Sequence, residues 1–188
     1  MSRRNPLVCA LAVAAAALML LAVGAQAQEK AAAHKFVGSD ACKMCHQSEA
    51  KGNQYGSWLK SAHAKAFETL ASEKSLAIAK EKKLAKAPQE EAACLKCHVT
   101  GAGKAAEAFM PTFKKEQGVG CESCHGAGSD YKAMAVMKDK AKAIEAGMMV
   151  PDEKTCTGCH NQESPTFKAF VYKEMLAKVA HPNPAKKG

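Results

Sequence analysis

Aromatic side chains are scarce in this chain, with one Trp, three Tyr and six Phe among 188 residues. The stacking platforms on which nucleic-acid binders rely are therefore missing, and the chain is read as one that binds no nucleic acid. Valine and isoleucine are few beyond the first 27 residues, and no segment alternates apolar with polar residues long enough to make a strand. A sheet is not expected. Spare cysteine is lacking too. Cys9 falls in the N-terminal apolar run, and the other eight cysteines all sit in one repeated motif, so none remains for a structural disulfide.

The N-terminus reads Met1-Ser2-Arg3-Arg4, runs apolar from Leu7 to Val23 and reaches Ala25-Gln26-Ala27, a small-x-small cleavage pattern. This is the layout of a secretory signal peptide over 1–27. A run of this length could also serve as an anchor, but the cleavage pattern ahead of polar Gln28 argues against retention, so no stable membrane insertion is expected after cleavage. The mature chain is then 28–188, a single exported domain, periplasmic in a bacterium. Loss of Arg3 and Arg4 lowers the formal charge from +9 to +7. A solvated lysine-rich surface, or steering toward acidic redox proteins, accounts for such an excess.

Four pentads of the form Cys-x-x-Cys-His occur, at Cys42–His46, Cys94–His98, Cys121–His125 and Cys156–His160. Two cysteines three apart can add through sulfur to the two vinyl groups of one haem, and a histidine directly after the second reaches its iron. Zinc sites, thioredoxin-like centres and disulfide frameworks also use Cys-x-x-Cys, but none of them needs that histidine, and here all four pairs carry it. The expected cofactors are four covalently attached haems c. Thioethers would form at Cys42, Cys45, Cys94, Cys97, Cys121, Cys124, Cys156 and Cys159, and the proximal ligands would be His46, His98, His125 and His160. With about forty residues per haem, the macrocycles would supply much of the apolar interior. Each oxidised haem with ionised propionates adds about −1, which would bring the charge near about +3.

Polar, alanine-rich Gln28–Lys35 reads as a flexible arm carrying His34. Beyond the first pentad, Tyr55, Leu59, Ala62, His63, Ala66, Phe67 and Leu70 share one face of an amphipathic helix that continues to Ala87, where Pro88 stops it. His63 lies on the apolar face. A histidine there is more often packed core than ligand, but a chain that coordinates four irons reverses the preference. The 99–118 stretch reads as irregular, its glycines letting backbone approach a haem. The third pentad begins 27 residues after the second, the shortest tether, which predicts these two sites as the closest pair. A further helix, capped by Ser129 or Asp130, carries Met134, Met137, Ala141, Ile144 and Met148, read as core with ligation by one methionine as the rarer use. A last helix is predicted from Ser164-Pro165 through Leu176, with His181 just past it and Pro182 as its stop. His63, His181 and His34 are thus the candidate distal ligands, and the fold is expected to be mainly α, helices and loops wrapped around haems.

Three segments carry a family resemblance: Ser57-Trp58-Leu59-Lys60-Ser61-Ala62-His63-Ala64-Lys65-Ala66, Cys94-Leu95-Lys96-Cys97-His98-Val99, and Gly118-Val119-Gly120-Cys121-Glu122-Ser123-Cys124-His125-Gly126. The chain resembles exported tetrahaem cytochromes of the c-554 type over most of its mature length. The resemblance implies a mainly helical electron carrier between periplasmic partners, with His63 and His181 as distal ligands and the haem on His98 five-coordinate. The family carries another distal histidine shortly after its third pentad, whereas no histidine lies between His125 and Cys156 here. His34 or a methionine would have to stand in.

The expected function is transfer of single electrons between periplasmic redox proteins, with no substrate transformed. An enzyme that binds or reduces nitric oxide, nitrite or hydroxylamine at an open iron is the alternative, and a module of a larger extracellular conduit is a third. Seven histidines cannot supply eight axial imidazoles, so at least one haem is not bis-histidine.

Overall fold

The computed structural model describes residues 34–181; the predicted signal peptide, residues 28–33 and Pro182 lie outside them. Helices alone make up its regular structure: α1 Ser39–His46, α2 Gln54–Leu59, α3 Ala66–Thr69, α4 Glu73–Glu81, α5 Ala92–His98, α6 Cys121–His125, α7 Met134–Met137, α8 Lys140–Glu145, α9 Glu153–Thr157 and α10 Tyr172–Val179, with short 3-10 turns between some of them. No strand occurs among the described residues, where pairing is limited to one bridge, Phe36 with Phe109. The mainly helical expectation holds. No described helix is long and apolar enough to cross a membrane.

The helices are shorter than the periodicity predicts, and each break has a local cause. The predicted helix through Tyr55 and Leu70 to Ala87 is three helices, α2 to α4. At the first break the His63 carbonyl accepts from Ala66 N–H at 3.2 Å and from Val119 N–H at 3.0 Å, whereas a continuous helix would commit it to the residue four ahead. Gly118 makes this approach possible: it has φ +66°, and a Cβ there would lie 2.8 Å from the His63 oxygen. Ser72 then caps α4 by accepting from Ser75 N–H. The chain leaves α4 through left-handed Lys83, φ 52°, with Leu84 N–H on the Ala79 carbonyl, so the stop comes before Pro88.

The methionine helix also divides. Asp139 accepts from Ala141 and Lys142 N–H and starts α8 afresh, and Ser129 and Asp130 cap nothing because they face the N-terminal segment. Met134 is 62% exposed and Ile144 46%, while Ala143 is fully buried, so the stripe is not a protein core. The last helix begins at Tyr172, not at Ser164-Pro165. There Ser164 closes a turn instead, its carbonyl accepting from Phe167 N–H.

Packing concentrates where residues 34–39, 100 and 117–131 meet. Lys35 N–H donates to Ser129 Oγ at 2.9 Å and the Lys35 carbonyl accepts from Ser129 N–H, so His34 and Lys35 are tethered rather than part of a free arm. Val37, Ser39, Thr100, Glu122 and Tyr131 are all buried here. Phe36, Phe109 and Phe113 cluster beside them, with ring centroids 5.4 Å apart for the first two and 4.6 Å for the last two. Gly101, φ +70°, lets the 99–118 loop lie on these rings: a Cβ would meet Phe109 at 2.9 Å. No residue between 144 and 181 is buried.

Candidate functional site

The first three pentads lie wholly on helices, α1, α5 and α6, and the fourth starts on α9 with Cys159 and His160 just beyond it. A three-residue step in a helical turn sets both thiols of a pair on one face. None of the eight pentad cysteines is in a disulfide. Those of different pentads also meet. Cys42 and Cys121 share a hydrogen bond, which draws the Cys121 thiol down to about 7 and pushes the Cys42 thiol well above its usual range, helped by burial. Cys159 bonds Cys97, and burial together with that neighbour pushes it up to about 11. Lys96 and Glu163 form an ion pair across the same two sites. Thiols of the first site thus meet the third and those of the second meet the fourth; the shortest tether does not select the thiols in contact.

The histidines show a consistent orientation. His46 Nδ1 lies 3.2 Å from Gln54 Oε1, His98 Nδ1 2.7 Å from the Ala66 carbonyl, and His34 Nδ1 2.6 Å from Asp130 Oδ2. His125 Nδ1 faces the Met149 carbonyl at a longer 3.4 Å. An Nδ1–H donating to oxygen leaves Nε2 with its lone pair free, the arrangement in which metal-ligating histidines are held. Burial, then the neighbouring His160, lowers the pKa of His63, and burial likewise lowers those of His125 and His181. Each is kept neutral, as a ligand must be.

Two of the three candidate distal histidines face pentad histidines. The His63 and His160 rings have centroids 6.0 Å apart, and those of His125 and His181 5.9 Å. Two metal–nitrogen bonds of about 2.0 Å plus half an imidazole on each side also give about 6 Å. A tilted aromatic pair has a similar spacing. What favours the metal is the membership of the pairs, since each joins one pentad histidine to one histidine outside the pentads. Phe170 stacks on His160 at 5.0 Å and 15°, fixing that ring from the side. His34 faces no other histidine ring among the described residues. The residues present therefore fit haem: paired thiols, oriented imidazoles, and exposed apolar side chains close by in sequence, such as Met44, Leu59, Met149 and Phe167.

Sequence reasoning missed what holds the third pentad. Glu122, 3% exposed, accepts from Val37 N–H at 2.8 Å, Gly38 N–H at 2.8 Å and Gly128 N–H at 2.7 Å. Its neighbour Ser123 bonds the Thr100 hydroxyl at 2.8 Å, and that hydroxyl also accepts from Gly120 N–H at 2.7 Å. The two residues between Cys121 and Cys124 thus tie three stretches of chain together. A charge inside a pentad carries no signal of this: Lys96, which also lies between the two cysteines of its pentad, is exposed.

A thiol pair that bonds a macrocycle and a histidine that takes its iron define the c-type cytochromes, which carry covalently bound haem c, and that is the class of this protein. The profile of the family "Cytochrome c554 and c-prime" matches residues 41–126. Cytochrome c-554 of Nitrosomonas europaea is 33% identical over 169 residues, which is 82% of this chain and 68% of that protein. The solved reduced state of cytochrome c554 from Nitrosomonas europaea superposes with a TM-score of 0.55 at 28% identity, over 80% of this chain and 86% of that one. The chain belongs to the cytochrome c-554 family.

Proposed function

We propose that the mature chain, 28–188, is a periplasmic tetrahaem electron carrier with no catalytic residues of its own. The facing pairs His63 with His160 and His125 with His181 carry this reading, because their ring spacings of 6.0 and 5.9 Å suit two imidazoles on opposite sides of one iron. The haems supply one-electron chemistry when bound; the polypeptide holds them near one another and sets their axial donors. His46, His98, His125 and His160 are the proximal ligands, and the eight pentad cysteines form the thioethers. Thiol contact between the first and third sites and between the second and fourth supports this reading, because haems attached there would be neighbours able to exchange electrons directly.

Burial lowers the pKa of His63, His125 and His181, which favours the neutral form that a ligand needs. Docking of periplasmic donor and acceptor proteins falls to the lysine-rich exterior, which makes reduction rates depend on ionic strength. The experiment is haem quantitation followed by a redox titration. Four haems per chain, all cycling with a physiological donor and acceptor, support the proposal; fewer haems, or irons that never change valence, overturn it.

One observation favours a second reading. His98 is anchored through Nδ1 to Ala66, and, like His46, it belongs to neither facing pair. An open iron there could bind nitric oxide, nitrite or hydroxylamine. Product formation above that of free haem, with an artificial reductant, would establish the enzyme; its absence leaves the carrier.

A further inference from the structure

We propose that His34 is the sixth ligand of the iron at His46, with Asp130 as its positioning residue. The assignment rests on the tetrahaem reading. Three observations hold the ring in place. Its Nδ1 is 2.6 Å from Asp130 Oδ2, a carboxylate–imidazole contact of the kind that orients metal-bound histidines. Lys35, the next residue, is clamped to Ser129 by a bond in each direction. The ring also lies across Gly147, where a Cβ would fall 2.7 Å from Cδ2, 2.8 Å from Nε2 and 3.0 Å from Cγ. Gly147 has φ +95°, so glycine is required there twice over, by the backbone and by the imidazole. An ordinary surface ion pair needs neither the clamp nor the glycine.

The choice of iron follows from neighbours. His63 is taken by His160 and His181 by His125, which leaves His46 and His98. His34 reaches the third site, because the Gly147 carbonyl beneath it abuts Gly126, the residue after His125. The first site belongs to that neighbourhood: Cys121 N–H donates to Ser39 Oγ on α1, the helix that carries Cys42–His46, and Glu122 accepts from Val37 and Gly38 N–H just ahead of that helix. His98 is instead held at Ala66, three residues from His63 on the side of the second and fourth sites. His34 therefore serves His46.

The test is electron paramagnetic resonance of the oxidised holoprotein, after haem content is measured. Wild type should show a high-spin ferric signal of about one iron in four. His34→Gly should raise it to about two in four, and added imidazole should restore the original fraction. Gly147→Ala, which leaves His34 in the sequence but displaces its ring, should also raise it. Asp130→Asn should keep the iron low-spin with shifted g values, a change that loss of a surface ion pair would not produce. An unchanged high-spin fraction in His34→Gly, or two high-spin irons already in wild type, overturns the assignment while the tetrahaem reading stands. Fewer than four haems in wild type overturns both.

Discussion

The third and fourth pentads share a motif and almost nothing else. Around Cys121–His125 the protein packs on itself: Glu122 is sunk in backbone donors, Ser123 and Thr100 bond one another, and Val37 and Tyr131 close the region from either side. Around Cys156–His160 no side chain is buried, Val150, Phe167 and Val171 are exposed, and local order comes from a capping box in which Asp152 and Thr155 satisfy each other's N–H groups. The same five-residue motif is thus set into two differently packed stretches of polypeptide. One is specified by hydrogen bonds within the polypeptide. The other depends on short-range turn chemistry and on the ring contacts of His160 with His63 and Phe170.

Substitution at the two pentads should expose that contrast. Glu122→Ala removes the acceptor of three buried N–H groups and is expected to cost about 3–5 kcal/mol, read as a fall in the denaturation midpoint of the holoprotein. A loss below about 1 kcal/mol would erase the distinction between the two regions. Asp152→Ala, at the fourth site, breaks only the capping box and should lower the denaturation midpoint by a small fraction of the Glu122 effect, with Asp152→Asn retaining most of the stability. If it proves as damaging as the Glu122 change, the fourth pentad is held more firmly than its exposure suggests.

The smallest effect lies at the rim of the well-packed region. Lys114 bonds Asp40 at 3.1 Å and, with Tyr55, holds that carboxyl below its usual range. A carboxyl depressed in the folded state contributes stability above its unfolded pKa, and that contribution is lost as pH falls through the folded value. The pair is largely exposed, so solvent screening limits it to about 0.5 kcal/mol. Lys114→Met should therefore lower stability slightly at neutral pH, and the difference from wild type should fade as pH falls through the depressed folded value of Asp40, measured by denaturation across that acid range. A persistent difference at low pH would locate the effect in the packing of the lysine stem.

The chemistry of this protein is local in sequence, which is why so much of it was legible there. A thioether pair and its proximal histidine need five consecutive residues, so Cys42–His46, Cys94–His98, Cys121–His125 and Cys156–His160 could be read without a fold, and so could the shortage of histidines. The helical class followed from the lack of alternation. Helix lengths did not, because periodicity reports which residues could share a face and not which carbonyl a distant chain will claim. Val119 takes the His63 carbonyl from across the molecule, in the turn that separates α2 from α3. Nor could spacing reveal that Glu122 is a buried clamp while Lys96, in a neighbouring pentad, is solvated. Only the tertiary structure decided which histidines face each other, which pentads touch, and that His34 sits on Asp130 and Gly147. Those relations join residues up to about a hundred positions apart, and their energy comes from donors, acceptors and shapes that meet only once the chain has folded.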